Sequence, residues 1–580
     1  MKKLSLKAWI SKLQLVLVRF PFTLLFIIGL AVLCFLSIQK VKVEIHESLW
    51  AFFILGLLLT VAVTLFLEEF KNLIVRISLN VLSIVLLAVY CFTLPLKLAE
   101  YQMFQLVAFG VVFVLSAFVV SFLKKNNEIP FWNFSRDSII QLFITSIFSQ
   151  VLFAGLGLAI LSLDKLFSIH IDVKVYSNLA VVCFVIFAPL YFLSNIPDEF
   201  EKRKQEFTFH KIIKIFGLYI LLPILAAYML ILYVYLFQIM IKWQLPNGWV
   251  STLVSVLGMV GFLCLMILYP LRLTKENKLV DILSRFFPVV LFPLLMLMSV
   301  GIFRRIGDYG LTINRGYVLI LNLWLYGISI YLFLSKANHL KWIVISFTTV
   351  LFISSVGPWS VFNVTKRSMV KEIGQLFTEA KLLKENKVID NTDKSIQIES
   401  KLSESLAAKI EYLSGTYGNE SLQPYFKQSI LNLKSSEIKG KLGLEYTIVR
   451  KNRDSSKYFN INVENTNQKI ELKSYSQCLS LKNSKVKENL YEDKNLKINL
   501  KDVNIYVFKK AESIPFISIP LKSKLISIIK TDQDNGAISS KEFEVTGDTY
   551  KLIVNNVSGN YFFKNDSIKI NNFEANIFLK

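Results

Sequence analysis

Apolar runs of about twenty residues recur through residues 1–365 of the chain and then stop. A helix needs roughly 20 consecutive apolar residues to cross the hydrocarbon core of a bilayer. The pattern therefore predicts about eleven spans, over 20–39, 49–67, 77–95, 102–123, 138–163, 175–195, 212–241, 249–271, 280–302, 316–334 and 342–361. Asn80 and Ser83 interrupt the third. The first run follows Lys2, Lys3, Lys7, Lys12 and Arg19, as a secretory signal would, but it is too long and no small-x-small cleavage site follows. It reads as a retained span.

Beyond residue 365 the periodicity changes. Ile373, Leu376, Phe377, Ala380 and Leu383 recur at helical spacing, followed by Leu402, Leu406 and Ile410, with Gly415 and Gly418 as stops. A short helix is expected over Ser421–Leu433. From about Gly443 the pattern alternates, predicting strands around 446–449, 458–461, 498–500, 505–508, 525–528 and 552–554. Asp534-Asn535-Gly536 and Ser558-Gly559-Asn560 read as turns between them. The expected architecture is a polytopic α-helical membrane bundle with a C-terminal soluble α+β domain, mostly antiparallel β. Its parts are a transmembrane region 1–365, a helical connector 366–440 and a β-rich domain 441–580.

Composition fits this division. The 580 residues are 54% hydrophobic, carry a net charge of +23 and include five cysteines. Four of these, Cys34, Cys91, Cys183 and Cys264, lie in the apolar runs, and Cys478 is alone in the tail. A lone cysteine cannot staple its own domain, so the tail must be held by an ordinary core. Excess cations in a membrane protein point to anionic headgroups. With no zinc-finger spacing, RNA-binding aromatic motif or basic stripe, nucleic acid is not an expected partner.

The cations also orient the chain. With the N-terminus in the cytoplasm, the inside segments hold Lys71 and Arg76, Lys124, Lys125 and Arg136, the 202–214 cluster, Arg272 to Arg285, and Lys336 and Lys341. The outside loops hold far fewer, so the positive-inside rule favours this topology. An odd number of spans then puts the tail outside, in the periplasm if the host membrane is a Gram-negative inner membrane. Ionisable residues are nearly absent from mid-span, which argues against proton- or sodium-coupled transport. In the fifth span Ser138, Gln141, Thr145, Ser149 and Gln150 fall near one face, read first as helix–helix hydrogen bonding. Pro288 and Pro293 are expected to kink the ninth span.

Three clusters invite chemistry. The loop Arg304–Arg315 is arginine-rich although predicted to lie outside. Arg305 and Arg315, with Tyr309 and Asp308, are the anion-binding candidates, because a guanidinium offers paired donors to phosphate or carboxylate. The competing reading is an Arg–Asp–Tyr network that pins the loop. Trp243 and Trp249 flank the Pro246-Asn247-Gly248 turn, and Trp359, Lys366 and Arg367 follow the last span. All five are expected interfacial anchors. No P-loop, G-x-S-x-G or H-E-x-x-H pattern occurs, and His46, His170, His210 and His339 are scattered, so no cofactor or metal is expected.

The same clusters carry a resemblance. Trp243…Leu245-Pro246…Gly248-Trp249-Val250-Ser251, Arg305-Ile306…Tyr309-Gly310-Leu311-Thr312…Arg315 and Gly357-Pro358-Trp359-Ser360…Lys366-Arg367-Ser368 resemble the domain of unknown function 4153 family of multi-pass bacterial, Bacteroidetes-type membrane proteins. The resemblance implies an integral membrane protein of unassigned activity and brings no catalytic residue. Three functional classes follow. The favoured one is a non-enzymatic envelope sensor, regulator or assembly factor. The second is a transporter or flippase of a lipid or anionic amphiphile. The third is a lipid-sugar-dependent glycosyltransferase using an acidic residue such as Glu44 or Glu47 in the first outside loop. The bilayer is the expected partner, with an anionic lipid or an envelope protein beside it.

Overall fold

The structure, a computed structural model, describes residues 6–39, 46–123, 128–167, 171–198, 211–242, 249–273, 278–336, 338–385, 387–392, 396–444, 456–464, 475–483, 489–493, 495–501, 503–510, 512, 514–530, 537–539, 543–562 and 567–580. The chain divides into two compact units, Met1–Tyr446 and Thr447–Lys580.

The first unit is helical. A short helix α1 (Leu6–Arg19) precedes the apolar helices α2 (Pro21–Ile38), α3 (Glu47–Leu67), α4 (Leu73–Phe92) and α5 (Glu100–Val119). Then come α6 (Glu128–Phe167), α7 (Val173–Asn195), α8 (Ile212–Lys242), α9 (Trp249–Leu273), α10 (Lys278–Tyr309) and α11 (Ile313–Leu334). Among the described residues ten helices, α2 to α11, are long and apolar enough to cross a membrane. The eleventh expected span is the shorter α12 (Lys341–Ser355), whose 15 residues reach only about 23 Å at 1.5 Å per residue. It stops early because Gly357 turns the backbone at φ +81 and Ser360 starts the next helix, its Oγ accepting from Asn363 N. The fifth span is longer than expected. Its 40 residues extend about 60 Å, twice the hydrocarbon thickness, because the segment from Glu128 to Asp137 continues the helix.

Two helices contain wide π turns, Val181–Phe187 in α7 and Phe216–Leu221 in α8. Each is followed closely by a proline, Pro189 or Pro223. A proline ring has no N–H and clashes with the carbonyl four residues back, and a widened turn relieves both. Pro288 and Pro293, by contrast, lie within the uninterrupted α10.

After α12 the chain forms α13 (Val361–Glu379), a two-stranded hairpin of β1 (Leu383–Lys384) and β2 (Lys387–Val388), α14 (Ser400–Tyr417) and α15 (Ser435–Lys441). The helix stops at Gly418, at φ +80, and runs through Gly415. The helix expected over 421–433 is absent. Only 3-10 turns at Asn419–Ser421 and Gln423–Tyr425 occur there, where Pro424 deprives the backbone of a donor. These elements share one core with the spans: Phe362, Met369, Ile373, Phe377, Leu406, Ile410 and Leu413 pack with Ile313 of α11, and Tyr101 of α5 and Tyr317 border them.

The second unit holds two sheets. One has the order β4 (Gln477–Asn483), β12 (Ser567–Leu579), β11 (Tyr550–Phe562), β3 (Ser456–Glu464), β9 (Ala537–Ser539), with β10 (Glu544–Thr546) also on β11. The other is β5 (Asn489–Glu492), β6 (Leu496–Lys501), β7 (Asn504–Lys509), β8 (Ile517–Pro520). Every pairing is antiparallel except β3 with β9. A common core includes Phe459, Leu481, Ile505, Ile519, Leu552 and Phe573. Two expectations fail here. Residues 525–528 belong to the helix α16 (Lys522–Lys530), where Leu525, Ile528 and Ile529 turn one face into that core; over so few residues a three-to-four spacing looks like alternation. Ser558-Gly559-Asn560 lies inside β11, at a register shift against β12. A Cβ on Gly559 would fall 2.2 Å from Lys569 O, so the glycine serves a bulge and not a turn. The strand expected at 446–449 and the turn at 534–536 lie outside the described residues.

Candidate functional site

The arginine-rich segment is mostly helix. Arg304, Arg305, Asp308 and Tyr309 ride the last turns of α10, and only Gly310, Leu311 and Thr312 form the loop. Gly310 adopts φ +77, which reverses the chain, and Thr312 Oγ1 accepts from Arg315 N to start α11. The Arg315 guanidinium folds back on the loop. Its Nη1 donates to Gly310 O at 2.6 Å and Tyr309 O at 3.2 Å, and its Cζ lies 5.4 Å from the Tyr309 ring centroid. It thereby satisfies terminal carbonyls that α10 leaves without intrahelical partners, and its charge suits the negative helix end. Asp308 sits 3.7 Å from Arg304, one turn back, and both are exposed. Arg305 is exposed and has no hydrogen bond or ion pair among the described residues, while its charge lies close enough to Arg315 to act on it. The structure thus brings Arg305, Tyr309 and Arg315 together and leaves Asp308 with Arg304.

Helices α13 and α14 close over this end. Ile313 N donates to Tyr412 Oη at 2.9 Å, and the Lys409–Glu372 ion pair lies where a Cβ on Gly310 would project. Tyr417 stacks on Tyr101 of α5, with centroids 5.0 Å apart, and donates to Phe362 O at 2.8 Å. Thr416 donates to Glu100 at 3.2 Å. Burial pushes the Tyr412 and Tyr417 phenols above their ordinary values. None of these tail contacts was visible in the sequence, because each joins residues far apart in the chain.

The other expected residues behave simply. Trp249 and Trp359 are exposed, and Trp359 Nε1 donates to Ile353 O at 3.0 Å, capping α12. Arg367 bonds Pro358 O and Asn363 O, and Lys366 lies just before it on the same helix. Trp243 lies outside the described residues, as do Glu44, His170 and His210. Glu47 accepts from Leu98 N at 2.8 Å. Among the described residues no three His, Cys, Asp or Glu side chains gather as a metal site.

The opposite end of the bundle carries ion pairs that sequence reasoning missed, having treated its cations only as loop charges. Arg272, 8% exposed, pairs with Asp281 at 3.0 Å and also bonds Lys336 O and Asn338. Lys341 and His339 approach Glu128 at 3.8 and 3.5 Å. Arg19 clamps Glu68 at 2.6 Å and bonds the carbonyls of Ile196 and Pro197. The signal available was position: each cation falls within a turn of a predicted span end.

Among the cavities on the flank of the N-terminal helices, two hold polar side chains of interest. One, of 350 Å³ between α2, α3, α5, α6 and α7, is apolar except for hydroxyls, among them Ser138 and Thr145 of the fifth-span polar face. Both hydroxyls are buried without a hydrogen-bond partner, whereas Ser149 bonds its own helix at Thr145 O. The second, of 370 Å³, lies beside Arg19, Arg76 and Asn80.

Comparison with known proteins agrees with the bundle. The family model described as "Domain of unknown function (DUF4153)" matches residues 20–376, which takes in every span and most of α13. The match covers more than half of the chain, which therefore belongs to this family. An uncharacterized protein of Pasteurella multocida (strain Pm70), PM1469, is 25% identical over 308 residues, 52% of this chain. The match spans about half, 51%, of that relative's length. No solved structure matches.

Proposed function

We propose that this family member is a non-enzymatic envelope protein, a sensor, regulator or assembly factor, in the inner membrane. Its N-terminus is cytoplasmic and its C-terminal region extracytoplasmic. The observation that carries the reading is the shared core of α11, α13 and α14. The segment after the last span is built onto the arginine-loop end of the bundle through Tyr412, Tyr417 and Thr416. Such an arrangement suits a chain that relays a soluble-side event to its spans. Orientation is supported by the cations gathered at the other end, among them Arg19, Arg76, Arg272 and Lys341. Arg315 Nη1 caps two backbone carbonyls at the end of α10 and its guanidinium lies over Tyr309, which supports a structural role for it.

The test is rescue of a deletion strain. Arg305→Ala should restore function fully, because Arg305 holds nothing in place, and Arg315→Ala should lower membrane abundance through loss of the α10 cap. If Arg305→Ala instead abolishes function at normal abundance, the exposed guanidinium is handling an anion, and a transporter or flippase becomes the better account.

A further inference from the structure

The 370 Å³ cavity has the anatomy of a specific amphiphile site. It is a side cleft formed by α1, the start of α2, the end of α3 and the start of α4, at the end of the bundle opposite Gly310. Its outer walls are apolar and face outward: Leu15 is 65% exposed, Val18 83%, Leu73 66% and Ile77 46%. In a bilayer these side chains meet lipid. Its floor is polar, built from Arg19, Glu68, Arg76, Asn80 and Asp198.

The floor has a vertical order. Arg76 stands at the edge of the predicted third span, and Asn80 lies four residues further along the same face of α4, about 6 Å deeper. The Arg76 Nε donates to Phe70 O and its Nη2 to Glu68 O, both at 2.6 Å, and no carboxylate pairs with it among the described residues. The Glu68 carboxylate is instead held by Nε and Nη2 of Arg19. The Nη1 end of Arg76 makes no hydrogen bond among the described residues, so an anion arriving in the cleft has that donor to meet, with the Asp198 carboxylate setting the limit on how far the head can enter.

Asn80 asks for the opposite chemistry. It is 5% exposed, and its Nδ2 donates to Arg76 O at 3.0 Å, which leaves Oδ1 buried with no donor. A buried acceptor left unmet is costly, and more so away from water. A diacyl ester lipid offers only carbonyl acceptors at this depth and cannot meet it. An amide N–H or a hydroxyl can.

We infer that this cleft binds an amphiphile with an anionic head, set against Arg76, and an N–H or O–H donor at the junction of head and chain, set against Asn80 Oδ1. The chain itself runs out between Leu73, Ile77 and Val18. This inference is independent of which side the tail occupies.

Three probes with a phosphomonoester head separate the possibilities. Ceramide 1-phosphate carries an amide N–H and a hydroxyl at the junction, lysophosphatidic acid a hydroxyl alone, and phosphatidic acid of matched chain length neither. Binding of each to the purified full-length protein in detergent would be measured by ligand-induced thermal shift. Ceramide 1-phosphate should bind roughly tenfold tighter than phosphatidic acid, the worth of one hydrogen bond to a buried acceptor. A tight lysophosphatidic acid would mean that a hydroxyl suffices, and a weak one that the amide is read. Asn80→Leu should remove the discrimination while leaving phosphatidic acid binding unchanged. With no lipid added, Asn80→Leu should melt no lower than wild type, since it removes an unmet polar group. Arg76→Gln should weaken all three. Equal binding of ceramide 1-phosphate and phosphatidic acid to wild type, no binding, or discrimination that survives Asn80→Leu would overturn the inference.

Discussion

Two glycines three residues apart give the account a paired test. Gly307 is helical, and nothing lies within 4 Å of the place its Cβ would occupy, so Gly307→Ala should stabilise α10 by about 0.8–1 kcal/mol of helix propensity. Gly310 is buried at φ +77, where an L side chain costs about 1–2 kcal/mol. The new Cβ would also lie 2.6 Å from Glu372 Oε2 and 2.7 Å from Lys409 Nζ, forcing apart the pair that seats α14 over the loop. Because both contacts are side-chain tips, they yield, and the backbone term should dominate. The variants should therefore differ by about 2–3 kcal/mol in local opening, a ratio of roughly 30 to 150. Hydrogen–deuterium exchange reads this directly, because the Ile313 amide is protected by Tyr412 and α14 by the shared core. Exchange at Ile313 and across 400–417 should speed up in Gly310→Ala and slow or hold in Gly307→Ala. A shift of the same sign in both variants, or an unchanged Ile313 amide in Gly310→Ala, would refute the claim that this turn carries the tail helices.

Other consequences follow from the same contacts. Arg19→Met takes the two-pronged guanidinium from the mostly buried Glu68 carboxylate, at a cost of up to about 3–5 kcal/mol, so membrane abundance should fall well below that of Lys12→Met, whose ammonium reaches Asn195 from an exposed position. Gly559→Ala places a Cβ against Lys569 O, a backbone atom, and should cost about 1–3 kcal/mol, seen as faster proteolysis of residues 447–580 in the intact chain. The Tyr412 and Tyr417 phenols titrate higher when folded than when unfolded. Their contribution is thus complete below the ordinary phenol value and fades as pH rises beyond it, so release of α14 in alkali should accompany the rise in tyrosinate absorbance.

The spans were legible because a bilayer imposes one rule, apolar length, on each segment separately. The departures come from local exceptions that hydropathy does not register: Gly357 cutting α12 short, polar turns lengthening α6, and prolines widening α7 and α8. In the tail, helix and strand separated where side chains alternate cleanly, as in β6 and β7, and failed at Leu525–Ile528, where four residues are too few to tell the periods apart. The arginine cluster was legible as unusual composition. That Arg315 caps its own preceding helix was not, because the acceptors are backbone carbonyls that any residue supplies. The closure of Tyr412, Thr416 and Tyr417 over the spans, and the cleft at Asn80, depend on three-dimensional neighbours that one sequence does not pair.

The most direct test of the account uses a cysteine the chain already has. Cys478 is exposed in the β-rich unit, whereas Cys91, Cys183 and Cys264 are buried and Cys34 is half-buried within α2. Cells whose outer barrier has been opened would be treated with a membrane-impermeant maleimide before and after lysis, with Cys478→Ser as the blank. An extracytoplasmic tail predicts Cys478-dependent labelling before lysis, unchanged after it. Labelling that appears only after lysis would put the tail in the cytoplasm and contradict the account.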